Sequence, residues 1–261
     1  MPQFADSRDR IRLSCRVVCR LLRFPSDRTS DSRDPDEKVR GRQRPGAPPK
    51  VDDVLRGRTQ RTATVGVAEH GNAALLVTVA PDGLLLDRRR IDLTSGLPTH
   101  PYHHEGAWAV GRYLNSPWVR PISLAEAVAL VERVHESAAR GAREGLEALA
   151  AAVAVPIAGI AIRACPTLPP TIKERIADNR AQVVADSVMY REALAVEAGA
   201  RGWPVYWYDR EQVFRDAAAV LGCEDVNSFL NAMGRSIGAP WQAKHKLAAA
   251  AAIAAARHPA S

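Results

Sequence analysis

The change in hydrophobic spacing near residue 122 is the feature that most constrains the fold. Before it, TATVGVAEHGNAALLVTVA is apolar and β-branched, PDG supplies a turn and LLLDRRRIDL runs back, which predicts a hairpin. From ISLAEAVALVERVHESAARGAREGLEALAAAVA onward, apolar residues recur at helical spacing, with Ser123 as N-cap and Glu126 in capping-box register. A chain with both patterns is expected to pack helices on a sheet.

The remaining segments alternate between strand and helix. GAWAVGRYL predicts a third strand before the first helix, and VPIAGIAIRA after it is a continuous apolar run typical of a buried central strand. A second long helix is predicted over TIKERIADNRAQVVADSVMYREALAVEAGARG, ending at Gly202, and PVYWYD predicts a fifth strand. Terminal helices are predicted in REQVFRDAAAVLG, VNSFLNAMGRSIG and WQAKHKLAAAAAIAAAR. The order is βββαβαβα.

The chain divides at about residue 61. Residues 1–61 hold 16 Lys and Arg against 9 Asp and Glu, whereas residues 62–261 hold 20 of each, so the first segment carries the whole net charge of +7. Its Arg, Asp, Ser, Pro and Gly content predicts a disordered basic extension, with an electrostatic nucleic-acid arm as the alternative. Residues 62–261 are predicted to form the folded domain.

Neither a membrane span nor a disulfide scaffold is predicted. The apolar patch at residues 17–24 is short and interrupted by Arg20 and Arg23, so it resembles neither a secretory segment nor a span. The four cysteines are few and scattered, and only Cys15 and Cys19 are close together, which favours reduced thiols. We expect a cytoplasmic protein.

The predicted order, together with three segments, resembles RuvC-type Holliday-junction resolvases of the ribonuclease H-like superfamily. TVGVAEHGNAALLVTVAPDGLLLDRRRIDL is similar to their first hairpin, PIAGIAIRA to their fourth strand, and KHKLAAAAAIAAA to their closing helix with its His-x-x-Asp-Ala pattern. The resemblance covers residues 62–256. It implies an α/β fold with a ribonuclease H-like mixed sheet flanked by helices.

The resemblance also implies where a two-metal centre would lie. Members of the family hold two divalent ions, Mg²⁺ or Mn²⁺, between carboxylates of the first strand, the fourth strand and the last helix. Ala68 or Glu69 falls at the first position, depending on a one-residue shift, and only Glu69 could bind metal. Arg163 replaces the second carboxylate and Ala248 the third, while His245 matches the histidine. Hard cations need several oxygen ligands, so the substitutions predict a degenerate site. Glu69 as a simple polar strand end is the alternative.

Several other residues are candidates for the same crevice or for a second site. Asp186, Glu192 and Asp209 are carboxylates that could face it, although Asp209 also stands where it can cap a helix. The loop THPYHHEG offers ligands for zinc or nickel, against the interpretation of solvated side chains; these ligands are His100, His103, His104 and Glu105.

The segment WQAKHK combines an aromatic ring, which can stack on a base, with cations, which can bind the nucleic-acid backbone. Trp241, Lys244 and Lys246, together with Arg163, are therefore predicted to bind nucleic acid, DNA ahead of RNA. The alternative is that Trp241 packs and the lysines are solvated. DRRRID could contribute charge, or could protect a sheet edge from pairing.

The sequence therefore predicts a RuvC-like nucleic-acid-binding protein that is not an efficient nuclease. Two alternatives remain open: an active metal-dependent endonuclease rebuilt around Glu69 and His245, and a non-enzymatic protein-interaction module on the same fold. A homodimer or a larger assembly is compatible with all three. The natural ligand is not specified by any motif.

Overall fold

The computed structural model describes residues 62–113 and 115–257. The predicted extension at residues 1–61, with Cys15 and Cys19, lies outside the described residues. No helix in the described part of the chain is long and apolar enough to cross a membrane.

Five strands form one mixed sheet in the order β3-β2-β1-β4-β5. The strands are β1 (Ala63–His70), β2 (Ala73–Val79), β3 (Leu85–Asp92), β4 (Ile157–Arg163) and β5 (Val205–Tyr208). β1 pairs antiparallel with β2 and parallel with β4, and β5 extends the parallel part. VGVAEHGN of β1 and PIAGIAIRA of β4 thus lie in neighbouring parallel strands of one sheet.

The third strand comes from a different place than predicted. TATVGVAEHGNAALLVTVA is two strands, because Gly71 takes a φ of +57° and turns the chain between β1 and β2. GAWAVGRYL is not a strand: Tyr102–Gly106 forms a π-helical turn that continues into Ala107–Ala109. The predicted number of strands was right. The assignment of GAWAVGRYL to a strand was wrong, because the π-helical turn has no hydrophobic period that identifies it.

The described residues contain six further helices, namely α1 (Leu124–Ala152), α2 (Ile172–Ala177), α3 (Asn179–Ala200), α4 (Val213–Leu221), α5 (Val226–Ile237) and α6 (Ala243–Ala255). The predicted capping box of Ser123 and Glu126 begins α1. The predicted second long helix is instead interrupted at Asp178, whose side chain accepts from the backbone N–H groups of Arg180 and Ala181 and so caps α3.

The helices cover both faces of the sheet. Val65 and Val67 of β1 belong to a core with α1 and α3, whereas Ala68 belongs to a second core with α4, α5 and α6. This division follows from the side-chain alternation of a strand. The predicted α/β fold, a mixed sheet flanked by helices, is confirmed by the strand order and pairing.

The alanine-rich helix α6 lies directly on the centre of the sheet. Ala248 and Ala252 are fully buried, and a Cβ atom on Gly66 of β1 would overlap the carbonyl oxygen of Ala248. Small side chains on both elements therefore permit backbone contact. The contact brings the first turn of α6 to the carboxyl end of β1.

Candidate nucleic-acid interface

The carboxyl ends of β1, β4 and β5 meet at one edge of the sheet, where open α/β sheets usually bind ligands. Glu69 is the penultimate residue of β1 and Arg163 the last residue of β4. Tyr208 ends β5, and its hydroxyl donates to the carbonyl oxygen of Val67 over 2.8 Å. This hydrogen bond crosses β4 and holds the edge together.

A buried arginine of α3 engages the Glu69 carboxylate. Arg191 is 4% exposed, and its Nε donates to Oε1 of Glu69 over 3.0 Å, with Nη2 donating to the same oxygen. Its Nη1 donates to the carbonyl oxygen of Ala164 over 3.1 Å. Glu69 shares a face of β1 with Val67 and therefore points toward α3. A fixed cation thus lies against the predicted metal ligand.

Two more cations surround Glu69. Nη1 of Arg163 lies 3.9 Å from Oε1 of Glu69, and the side chain of Arg163 is 38% exposed. Nζ of Lys244 donates to the backbone oxygen of Glu69 over 2.9 Å and lies 2.7 Å from Nδ1 of His70. Burial lowers the pKa of Lys244, although the nearby Glu69 opposes the shift. Positive groups outnumber the carboxylate that they surround.

The donors at this edge do not fit a divalent metal. Mg²⁺ and Mn²⁺ require several oxygen ligands, yet Ala248 is packed against β1 and Arg163 repels cations. Within residues 62–113 and 115–257, no group of three or more His, Cys, Asp or Glu side chains is placed to hold a metal ion.

His245 makes a structural contact at the start of α6. Its Nδ1 accepts from the backbone N–H of Gln242 over 3.1 Å, which completes a capping box. The side chain is buried, and burial followed by the charge of Arg88 lowers its pKa. This contact accounts for a histidine at the position, while the predicted catalytic role stays a prediction.

Trp241 is half-buried and packs against the core. Its ring is stacked on that of His245 with centroids 5.6 Å apart, and Cδ1 and Nε1 face the backbone of Gly234. Stacking on a nucleobase would require the ring to leave this packing. Lys246 is half-buried on the first turns of α6, and its binding to nucleic acid stays a prediction.

Two open clefts with cationic walls flank Glu69. The first, of about 520 Å³, lies at the ends of β4 and β5 and includes Arg163 and Arg210. The second, of about 590 Å³, lies between β3 and α6 and includes Arg90, Lys244 and His70. The arginines of β3 border this cleft, on an edge strand as predicted for a charged edge. Both clefts can accept anions.

Of the other candidate carboxylates, Asp186 lines a cavity together with Glu69, whereas Glu192 and Asp209 are engaged elsewhere. Glu192 pairs with Arg175 at 3.6 Å. Asp209 accepts from the backbone N–H of Glu211 over 2.6 Å, in the turn that leads into α4. Asp186 is 4% exposed and accepts from the backbone N–H groups of Tyr102 and His103 over 2.9 and 3.1 Å. Burial raises the pKa of Asp186 to about 7.

The histidine loop is an aromatic cluster. The rings of His103 and His104 have centroids 5.3 Å apart, and His104 is stacked on Trp108 at 6.1 Å. His103 also contacts Tyr113, whose side chain is 54% exposed. The rings in this cluster contact one another. In the described residues no group of three or more potential ligands is placed to hold zinc or nickel, so a metal site in this loop stays a prediction.

The role of Arg191 as the partner of Glu69 was not predicted from the sequence. The available signal was its position between Tyr190 and Leu194, both buried, in a segment of α3 that contributes to the core. An arginine among core residues needs a buried partner. The helical spacing could have predicted that Arg191 lies among core residues and needs a buried partner. Only the fold identifies that partner as Glu69, 122 positions away.

No model of a known protein family and no curated protein matches the chain. Solved structures similar to it include two of RuvC. A structure of Thermus thermophilus RuvC has 18% sequence identity and a TM-score of 0.38. The match covers 75% of this chain and 93% of the RuvC chain. A structure of T. thermophilus RuvC in complex with a Holliday junction substrate has 16% sequence identity and a TM-score of 0.36. The match covers 75% of this chain and 92% of the RuvC chain. At these identities the likeness is one of fold.

Proposed function

We propose that this protein binds the phosphate backbone of DNA at the carboxyl edge of its sheet and does not cleave it efficiently. One observation carries the proposal: Arg191 and Arg163 lie against the Glu69 carboxylate and Lys244 donates to the Glu69 backbone oxygen, where a nuclease of this architecture would need a divalent metal. The edge therefore offers net positive charge, which attracts phosphate.

Exposure determines which cation meets the ligand. Arg191 is buried and committed to Glu69, so it is placed to maintain the site and not to contact DNA. Arg163 is partly exposed and borders the same cleft as Arg210. Two guanidinium groups at one cleft suit a phosphodiester, because arginine forms forked hydrogen bonds to phosphate oxygens.

Contacts of this kind are not expected to read sequence. Phosphate contacts position a protein on nucleic acid and give affinity that falls with salt. We propose DNA ahead of RNA because the sequence resembles junction resolvases. Lys244 and Lys246 extend the positive surface along α6.

Binding is tested by fluorescence anisotropy with branched, duplex and single-stranded DNA at several salt concentrations. We expect salt-sensitive binding that Arg163→Glu weakens. Arg133→Glu on the exposed face of α1 is the matched control, since it makes the same change in net charge away from the sheet edge. An equal loss in both variants would contradict a site at Arg163.

Cleavage is tested with the same substrates and Mn²⁺, beside Glu69→Gln. We expect no appreciable cleavage by the natural protein. Cleavage that Glu69→Gln abolishes would overturn the degenerate site and favour the rebuilt endonuclease. Absence of both binding and cleavage would favour the protein-interaction module.

A further inference from the structure

A second kind of cavity opens beside Glu69, on the side opposite Arg163 and Arg210. It has a volume of about 260 Å³, just below the range of about 300–1,000 Å³ typical of small-molecule sites. We call it the histidine pocket. Its principal lining residues are Glu69, His100, His103, Val183, Asp186 and Tyr190.

The walls and the inner end of the histidine pocket differ in chemistry. Two imidazole rings, of His103 and His100, and the side chain of Val183, which is 62% exposed, form flat or apolar walls. At the inner end lie Tyr190, which is 1% exposed, and the carboxylate of Asp186, which is 4% exposed. A ligand that fits would have a flat ring and a hydrogen-bond donor.

The protonation states favour such a ligand. Burial, followed by the neighbouring histidines, lowers the pKa of His100, and burial followed by His104 lowers that of His103. Both rings are therefore neutral at pH 7 and present aromatic faces. The two oxygens of Asp186 each accept one backbone N–H group. Burial raises the pKa of Asp186 to about 7, so its carboxylate form is present at pH 7, and a carboxylate oxygen has a further lone pair for a second donor.

We propose that the histidine pocket receives one unpaired nucleobase that carries an exocyclic amine, stacked on His103 with its amine directed to Asp186. This inference rests on the proposed function, because it supplies the base side of a nucleotide whose phosphate lies at Arg163. Glu69 connects the two, since it lines the pocket and lies 3.9 Å from the Arg163 guanidinium.

Other ligands fit less well. A phosphate in the pocket would meet two carboxylates, whereas Arg163 and Arg210 attract it in the neighbouring cleft. A paired base cannot enter a cavity of this size, so the ligand must be a base in a single strand or one extruded from a duplex or junction. Histidine rings and apolar side chains are ordinary stacking surfaces for such bases.

The experiment uses single strands of about twelve nucleotides, all thymine except for one central base. Guanine and hypoxanthine form the matched pair, because they differ only in the exocyclic amine. Uracil strands of RNA with the same central bases test whether the sugar matters. Affinity is measured by anisotropy, and a central 2-aminopurine reports entry of the base through its fluorescence.

We expect the guanine strand to bind more tightly than the hypoxanthine strand, and His103→Ala to lower that affinity about five- to tenfold, as loss of one stacked base does. His104→Ala is the matched control, since His104 lies in the same turn, is exposed and does not line the pocket. The 2-aminopurine signal should change on binding to the natural protein and to His104→Ala, and not on binding to His103→Ala.

Equal affinity for the two central bases, together with equal effects of the two histidine variants, would overturn the inference. If binding then still depended on Arg163, the proposed function would stand without the histidine pocket. If no strand bound at all, both would fail. Should His103→Ala not fold, an unchanged 2-aminopurine signal with the natural protein would by itself contradict the inference.

Discussion

Arg191 donates from Nε to Oε1 of Glu69 over 3.0 Å, with the arginine almost fully buried at the carboxyl end of β1. The guanidinium thus provides, as part of the chain, a positive charge where the resembled family holds divalent ions. A covalently attached cation neutralises the carboxylate without offering coordination positions to substrate. This arrangement supports the proposal that the site attracts phosphate and does not activate water.

Removing Arg191 is expected to destabilise the protein. Arg191→Met leaves Glu69 largely buried with Arg163 at 3.9 Å as its remaining close cation, and breaking a buried pair costs about 3 kcal/mol or more. Chemical denaturation measures the free energy of unfolding. Glu69→Leu combined with Arg191→Met should recover most of the loss, since neither charge then remains.

The control for Arg191 is an exposed ion pair on β3. Arg90 and Asp92 are 2.7 Å apart with side chains 57% and 59% exposed, so Arg90→Met should change stability by less than about 1 kcal/mol. A comparable loss of unfolding free energy in Arg90→Met and Arg191→Met would show that burial does not determine how much the Glu69–Arg191 pair contributes to stability.

Gly66→Ala is expected to destabilise the contact between β1 and α6. The new Cβ would overlap the carbonyl oxygen of Ala248 and lie 2.6 Å from the backbone nitrogen of Ala252. Backbone atoms cannot rotate away, so the helix must shift, at a cost of about 3 kcal/mol. Thermal melting followed by circular dichroism measures the effect.

Gly199→Ala is the matched control for Gly66. A Cβ on Gly199 would meet no atom within 4 Å, and alanine is favoured over glycine in a helix by about 1 kcal/mol. Its melting temperature should be unchanged or higher. A similar loss in both glycine variants would mean that helix and strand do not touch at Gly66.

Acid is expected to weaken the start of α6 through His245. Burial holds the folded-state pKa of His245 below its ordinary value, so the neutral ring stabilises the fold above the unfolded-state pKa of about 6.5. That stabilisation is lost as the pH falls through the folded-state pKa. Protonation of Nδ1 also removes the acceptor for the Gln242 N–H.

His245→Gln tests this pH dependence. Glutamine offers an oxygen as acceptor and does not titrate, so the difference in urea midpoint between the natural protein and the variant should narrow or reverse from pH 7.5 to pH 5. A difference that stays constant over this range would exclude His245 as a source of the pH dependence.

Deleting residues 1–55 is expected to leave the melting temperature nearly unchanged. The segment has no periodic apolar face in its sequence, so it should contribute little buried area. Differential scanning calorimetry of the full chain and of the truncated chain gives the comparison. Loss of cooperative melting after truncation would refute the expected boundary near residue 61.

Much of the fold followed from local patterns. The capping box at Ser123, the apolar run of β4 and the alanine-rich α6 each specify an element through spacing and residue type alone. The parallel pairing of β1 with β4 agrees with what the resemblance to RuvC-type resolvases implies. By contrast, the split at Gly71 and the π-helical turn at Tyr102–Gly106 gave no periodic signal, and the third strand was assigned wrongly.

By itself, the sequence determined most of the element types and their order, and through the resemblance it predicted Arg163 and Ala248 at two carboxylate positions. Only the tertiary structure decided that Arg191 neutralises Glu69 and that His245 caps α6. Hydrophobic spacing is a property of neighbouring residues and can be read along the chain. The partner of a buried charge is set by how distant elements pack, and no local pattern records that choice.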